Sequence, residues 1–280
     1  METIAVATQN KRVGKTSSTV NLGAALALAG QRVLIVDLDP QAQAGTALGL
    51  HLSGGDQGAR SLGWAVQGRL QGLRPDISQV WFDRSELVAG FPGAGSLHLL
   101  ACEESTMSAV QEVIHKNGYR ATPVLRRMLA DVTSDFDFTL IDTPSAVSSL
   151  SATAFAAADG VVTVCVPEYA SLKGAAVTRG AVRHVKDRTG GECDPRYLGA
   201  IVNRSSLPSA REGREADIRE AMHDAGLAPF PAGIRLDRRI SDSFAVGVPA
   251  AIQFADRAPG RMYGELLGQM LDRMRRCREE

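Results

Sequence analysis

Ile4 to Ala7 is a short apolar run, followed by a polar turn and then by a helical period from about Thr16 to Ala29 with Val20, Leu22, Ala25, Leu26 and Ala29 apolar. Gly30 closes that helix, and Arg32-Val33-Leu34-Ile35-Val36-Asp37 reads as a buried strand. Strand, loop, helix and strand in this order make the βαβ unit of a parallel sheet. Leu97 to Ala101 and Phe138 to Asp142 read as further strands, the second ending in a carboxylate, with a mostly helical stretch from about Thr106 to Ala130 between them. Gly160 to Val166 and Tyr197 to Asn203 are two more apolar runs, separated by a helical stretch from about Leu172 to Thr189. A helix from about Gly260 to Arg276 closes the chain. Between Leu50 and Gly95 glycines break the pattern; Leu62, Trp64, Val66 and Leu70 suit a short helix, and Val80 to Val88 is ambiguous. The alternation predicts an α/β fold, a mostly parallel sheet with helices on both faces. No repeat, low-complexity segment or composition shift marks a linker, so residues 1–280 are expected to form a single domain.

Composition narrows the class. With 44% hydrophobic and 22% charged residues and 28 glycines spread along the chain, disordered, collagen-like and disulfide-scaffold proteins are excluded. Thirty-one basic residues balance thirty-one acidic ones, so binding of nucleic acid through bulk charge is excluded and only a local basic face remains open. Arginine outnumbers lysine 26 to 5, which decides nothing by itself. Cys102, Cys165, Cys193 and Cys277 lack the close pairs of zinc or redox sites and are expected to be free thiols in a reducing cytoplasm. No segment has the eighteen or so uninterrupted apolar residues of a membrane span, and the first residues do not read as an export signal, so a cytoplasmic protein is expected.

In open parallel sheets ligands bind beyond the carboxyl ends of the strands. Three features gather there: the turn after the first strand, Asp37 and Asp39 after the second, and Asp142. Gly14-Lys15-Thr16 lies between a strand and a helix, as the last triplet of a phosphate-binding loop does. Backbone N–H groups at such a helix start cradle phosphate oxygens, Lys15 would neutralise the β and γ charge, and the Thr16 hydroxyl would ligate Mg²⁺. A chance Gly-Lys-Thr opening a helix is the bland alternative, and the flanking strand and helix argue against it. Asp37 and Asp39 could hold metal-bound water and position the attacking one, or could simply cap a strand and start a turn. Leu140-Ile141-Asp142-Thr143-Pro144 is the apolar strand plus aspartate that binds Mg²⁺ through water in P-loop enzymes.

With these elements the chain resembles the ParA/MinD family of deviant-Walker P-loop ATPases, and most closely its chromosome and plasmid partition branch. Besides the loop, the resemblance is carried by Val33 to Gln41, Phe136 to Pro144, Ala157 to Val162, Val166 to Gly174, and Ile234 to Ser243 with Gly247-Val248-Pro249. It implies an ATP-sandwich homodimer that forms on ATP binding, binds double-stranded DNA non-specifically, and is reset by weak hydrolysis stimulated by a ParB-like or cargo-adaptor partner. Such a protein would be nucleoid-associated and would segregate or position a plasmid, a chromosome or other cargo. Residue by residue, the resemblance implies that Lys11, Arg12, Val13, Gly14, Lys15, Thr16 and Ser17 hold ATP or ADP. Lys15 and Asp39 would be catalytic, Asp39 positioning the water, and Thr16, Asp37 and Asp142 would serve Mg²⁺. Asn203 would contact adenine, and Pro231 would start the segment packed near the base.

The loop departs from the family pattern: Asn10 stands where the signature lysine belongs, and Lys11 and Arg12 stand over two glycines. Lys11 or Arg12 could take the lysine's role, another residue could replace it, or the dimer interface could differ. Related cargo-positioning ATPases also can lack that lysine. Arg204, Arg211, Arg214, Arg219, Arg235, Arg238 and Arg239 form a candidate DNA-contacting patch. Interleaved Glu212, Glu215, Asp217 and Glu220 equally suit a salt-bridged helix face. Two rivals stand beside the partition ATPase. One is a degenerate member acting as a non-hydrolysing binding module. The other is a MinD-like membrane-associated regulator, although Leu266 to Arg273 reads as a docked helix with no stable membrane insertion expected.

Overall fold

The computed structural model describes residues 1–52, 60–206 and 213–279. Its strands are β1 (Glu2–Ala7), β2 (Arg32–Asp37), β3 (Trp81–Asp83), β4 (Ser96–Leu100), β5 (Phe138–Asp142), β6 (Gly160–Cys165), β7 (Arg196–Ser205) and β8 (Pro229–Arg235). They form one sheet in the order β3-β4-β2-β5-β1-β6-β7-β8, parallel throughout except for the antiparallel edge strand β3. Because pleated side chains alternate, each central strand feeds two cores. Ile4 and Val6, with Val33 and Ile35, enter one; Ala5 and Ala7, with Leu34 and Val36, enter the other.

The first core lies beneath helices α1 (Lys15–Leu28), α10 (Ala250–Gln253) and α11 (Ala258–Glu279). The second lies beneath α3 (Leu62–Leu70), α4 (Glu104–Asn117), α5 (Val124–Leu129), α6 (Ser149–Ala157) and α7 (Tyr169–Arg188). Two short helices, α2 (Gln43–Ala47) and α9 (Arg238–Val246), stand near the carboxyl edge of the sheet, and α8 (Arg214–Asp224) covers β7 and β8. α11 buries Tyr263, Leu266 and Met270. At roughly 1.5–3 kcal/mol for each large apolar side chain removed from water, that face holds the helix on the sheet.

The helical stretch expected from 106 to 130 is two helices. Gly118 follows α4 at φ +59°, and Pro123, which lacks an N–H, stands immediately before α5. Cys102, Cys165, Cys193 and Cys277 are free thiols. Among the described residues no helix is long and apolar enough to cross a membrane.

Candidate phosphate-binding site

The carboxyl ends of β1, β2, β5 and β7 open on a cavity of about 490 Å³ lined by the turn of residues 10–17, Asp39, Ser145, Asn203 and Arg235. Gly14 holds the turn at φ +87° as the N-cap of α1. A Cβ there would collide with the Asn203 amide, so glycine is required by conformation and by space. Asn203, at the end of β7, donates from Nδ2 to the Val13 carbonyl at 2.7 Å, and its Oδ1 accepts from the Arg204 N–H at 3.0 Å. Arg204 donates in turn to the Arg12 carbonyl at 3.2 Å. The end of β7 thus latches the turn from outside.

Lys15 and Thr16 open α1 and point back toward β5. The Lys15 ammonium lies 2.7 Å from Asp142 Oδ1 and 3.3 Å from Asp39 Oδ2. The Thr16 hydroxyl donates to Asp142 Oδ2 at 2.7 Å, and Thr19, one turn on, donates to Asp142 Oδ1 at 3.0 Å. Asp142 is fully buried and spends both oxygens on these three partners. Thr19 escaped the sequence reading; its signal is the three-residue spacing from Thr16, which puts both hydroxyls on one helix face.

Burial works against the Lys15 ammonium, but Asp142 and Asp39 outweigh it and hold its pKa above that of ordinary lysine. Burial raises the Asp142 carboxyl against the pull of Lys15 and Thr16. Asp37 is pushed up to about 8, first by burial and then by Asp142, with Lys15 opposing.

Asp37 has a different place from the one expected of a metal ligand. Its Oδ1 accepts from the Asp39 N–H, and its Oδ2 from the N–H groups of Ala44 and Gly45 at 3.0 and 3.4 Å. Committed to the backbone and fully buried, it fixes the Asp39 turn and the start of α2 and does not face the cavity. Thr16 and Asp142 do fit a hard cation: a cavity-facing hydroxyl backed by a carboxylate is an oxygen donor set suited to Mg²⁺, which binds few protein groups and retains waters.

The turn absorbs its two substituted glycines unequally. Arg12 adopts φ +61°, a left-handed conformation that side chains disfavour, whereas Lys11 is not among the positive-φ residues. Both are exposed and line the cavity. Asn10, at the cavity edge, donates from Nδ2 to the Ser171 hydroxyl on α7 at 3.0 Å, so its side chain is tied to another element of the same chain.

Pro231 does not belong to this wall. It is an exposed residue within β8, and the strand runs on so that Arg235, Leu236 and Asp237 reach the cavity instead.

Among the described residues the candidate DNA-contacting arginines have different surroundings. Arg219 is turned inward, 3.0 Å from the Glu215 carboxylate and donating to the Phe230 carbonyl at 3.0 Å and to Ser205 at 3.1 Å, which makes it a structural tie. Arg239 lies alongside Asp237, the N-cap of α9, at 2.7 and 2.9 Å. Arg204 and Arg235 line the cavity, Arg214 and Arg238 are exposed, and Arg211 lies outside the described residues.

A parallel sheet with a glycine-lysine-threonine turn at the head of α1 and an aspartate closing the neighbouring strand defines a P-loop nucleoside-triphosphatase scaffold. The AAA-domain family matches residues 1–192. The chromosome-partitioning ATPase Soj of Thermus thermophilus is 34% identical over 200 residues, 71% of this chain and 68% of Soj. The ATP complex of an McdA variant from Cyanothece superposes with a TM-score of 0.79 at 19% identity, covering 98% of this chain and 96% of McdA. Cobyrinic acid a,c-diamide synthase from Mycobacterium smegmatis, solved with an ATP analogue and magnesium, gives a TM-score of 0.70 at 24% identity over 91% of this chain and 93% of its own. The chain belongs to the ParA/MinD family of P-loop ATPases, in its partition branch.

Proposed function

We propose that this chain is a cytoplasmic ATP hydrolase whose ATP-bound homodimer holds non-specifically to nucleoid DNA and positions a plasmid, a chromosome or other cargo, with a ParB-like or adaptor partner stimulating turnover. Residues 1–280 act as one unit in this reading, because a single sheet carries every element around the cavity. One observation supports it above others: the Lys15 ammonium sits between Asp142 and Asp39 at the floor of a cavity walled by N–H groups at the start of a helix.

The chemistry follows from the placement. In the free protein Asp142 and Asp39 hold Lys15 charged, so the cation is in position before phosphate arrives. Lys15 then neutralises phosphoryl charge, Thr16 offers its hydroxyl, and Asp142 orients both from behind. Thr16, backed by Asp142, would hold Mg²⁺, which would supply charge neutralisation for the phosphate oxygens. Asp39 keeps one oxygen on the Gln41 N–H at 3.1 Å and presents its carboxylate to the cavity, where it would orient water for in-line attack. Arg214 and Arg238 are the exposed candidates for phosphate contacts on DNA.

The test combines nucleotide-dependent retention on DNA with steady-state phosphate release. Wild type should do both; Asp39→Ala should be retained on DNA with ATP yet release no phosphate; Lys15→Ala should do neither. Equal turnover in wild type and Asp39→Ala would overturn the assignment. A second reading, a binding module that does not hydrolyse ATP, draws on Asn10 being tied to Ser171 and Arg12 standing at positive φ. Saturable ATP binding with no phosphate release in the presence of DNA would select it.

A further inference from the structure

A second cavity, of about 590 Å³, lies on the opposite side of the central strands from α1, between α4, α6 and α7. Its floor is apolar, with Ile114, Phe155 and Val185 buried beneath it, and its rim carries two exposed apolar side chains, Val147 and Tyr119. Exposed apolar groups bordering an apolar groove mark a surface that another molecule covers. The polar groups lining the cavity include the hydroxyls of Thr122, Ser148 and Ser149 together with three nitrogen-bearing side chains. His115, His184 and Arg188 line it, and among the described residues no carboxylate does. The Arg188 guanidinium lies 4.7 Å over the Tyr119 ring, and among the described residues no carboxylate pairs with it.

The groove is also joined to the phosphate-binding cavity. Ser145 lines the first cavity and Val147, two residues on, lines the second. Ser148 then caps α6 by accepting from the Ser151 N–H at 3.3 Å, and Ser149 donates to the Gln111 carbonyl of α4 at 3.1 Å. Segment 145–149 therefore runs directly from the loop after Asp142 into the groove wall. Anything that presses on Val147 bears on the loop that follows the aspartate holding Lys15 and Thr16.

We propose that the groove between α4, α6 and α7 docks a short amphipathic helix of a partner protein, apolar on one face and acidic on its flanks, and that docking alters turnover through segment 145–149. This names the chemistry of a stimulating partner and so rests on the function proposed above. Helical walls and an apolar trough are the features by which grooves take amphipathic helices, and complementary charge, here to the Arg188 guanidinium, sets which helix is taken.

The probe is a fluorescein-labelled 14-residue synthetic helix with leucines at i, i+3, i+4 and i+7 and glutamates on both flanks. Its counterpart has every glutamate replaced by lysine. Binding is followed by fluorescence anisotropy on the full chain with and without Mg·ATP, and phosphate release is measured in parallel. The glutamate peptide should bind at least tenfold tighter than the lysine peptide. Arg188→Glu should reverse that order while leaving ATP affinity in the absence of peptide unchanged, and Val147→Asp should weaken the glutamate peptide at least tenfold. Saturating glutamate peptide should change the rate of phosphate release by at least twofold. Equal binding of the two peptides, absence of binding at 1 mM, or indifference to Arg188→Glu would overturn the docking site, and binding without a change in the rate would overturn its coupling. If ATP itself fails to bind while the peptide preference holds, the proposed function fails and the docking surface stands.

Discussion

The Lys15 ammonium lies between the buried carboxylates of Asp142 and Asp39, so its removal tests the charge arrangement and the ligand chemistry together. In Lys15→Ala, Asp142 at 0% exposure loses its 2.7 Å partner and Asp39 at 7% loses its 3.3 Å partner. Removing one member of a buried pair costs about 3–5 kcal/mol, because the remaining charge is left in a poor solvent. Urea unfolding at pH 7 should show that loss. The double variant Lys15→Ala/Asp142→Asn removes the stranded charge, keeps an acceptor oxygen for one of the Thr16 and Thr19 hydroxyls and offers an amide N–H to the other, and should recover about 2 kcal/mol relative to Lys15→Ala. Acid should act in the same direction. In Lys15→Ala the buried Asp142 carboxyl binds a proton more readily in the folded than in the unfolded chain, so stability falls as pH rises and the deficit narrows as pH is lowered from 7 to 5. Binding of a fluorescent ATP analogue should be absent from both variants. A loss below about 1 kcal/mol in Lys15→Ala, or strictly additive effects in the double variant, would refute the reasoning, since neither fits a paired charge in a dry site.

Asp37, whose carboxyl is pushed up to about 8 from 3.8, holds a proton more strongly in the folded chain, so its contribution to stability is lost as pH rises through 8. Wild type should lose about 1.4 kcal/mol between pH 7 and pH 9 through this group, and Asp37→Asn should remove that slope in urea titrations; parallel slopes in the two proteins would contradict it. Arg12→Gly relieves a φ of +61°, worth about 1–2 kcal/mol, against about 0.5–1 kcal/mol of added unfolded-chain entropy. Its unfolding midpoint in urea should therefore rise slightly, and a fall would show that Arg12 holds the turn by contacts that outweigh the strain. Arg219→Ala, which takes the cation away from the buried Glu215, a carboxylate also bonded by the Ser205 hydroxyl and the Ser206 N–H, should lose about 2–3 kcal/mol, whereas Arg238→Ala should keep wild-type stability and bind DNA more weakly at low salt; the reverse pattern in unfolding and DNA-retention assays would exchange the roles given to the two arginines.

The central strands were legible because burial on both faces leaves continuous apolar runs: β2 and β5 have the boundaries read from the pattern. β8 was not, because Pro231 and Gly233 argue against a strand, and an edge position tolerates what a central one does not. α6 was hidden for the opposite reason. Its Ser-Leu-Ser-Ala-Thr-Ala-Phe-Ala-Ala run is small and apolar around the helix and buried, with no polar face to set a period. At the site, Lys15, Thr16, Asp39 and Asp142 could be placed from motif spacing, since a strand, a tight turn and a helix put them at the same end of the sheet. The inward turn of Asp37 could not, because it depends on α2, a five-residue helix with no periodic signal. Arg219 and Arg239 look like surface cations in a charge pattern, and only the folded chain shows Glu215 and Asp237 beside them.

The proposed function requires the turn from Asn10 to Ser17 to receive a nucleoside triphosphate although Lys11 and Arg12 occupy two glycine positions. Isothermal titration of the full chain with Mg·ATP tests that directly. Saturable one-to-one heat per subunit in wild type, with none in Lys15→Ala, is the expected result. A folded wild-type protein that takes up no ATP would contradict it.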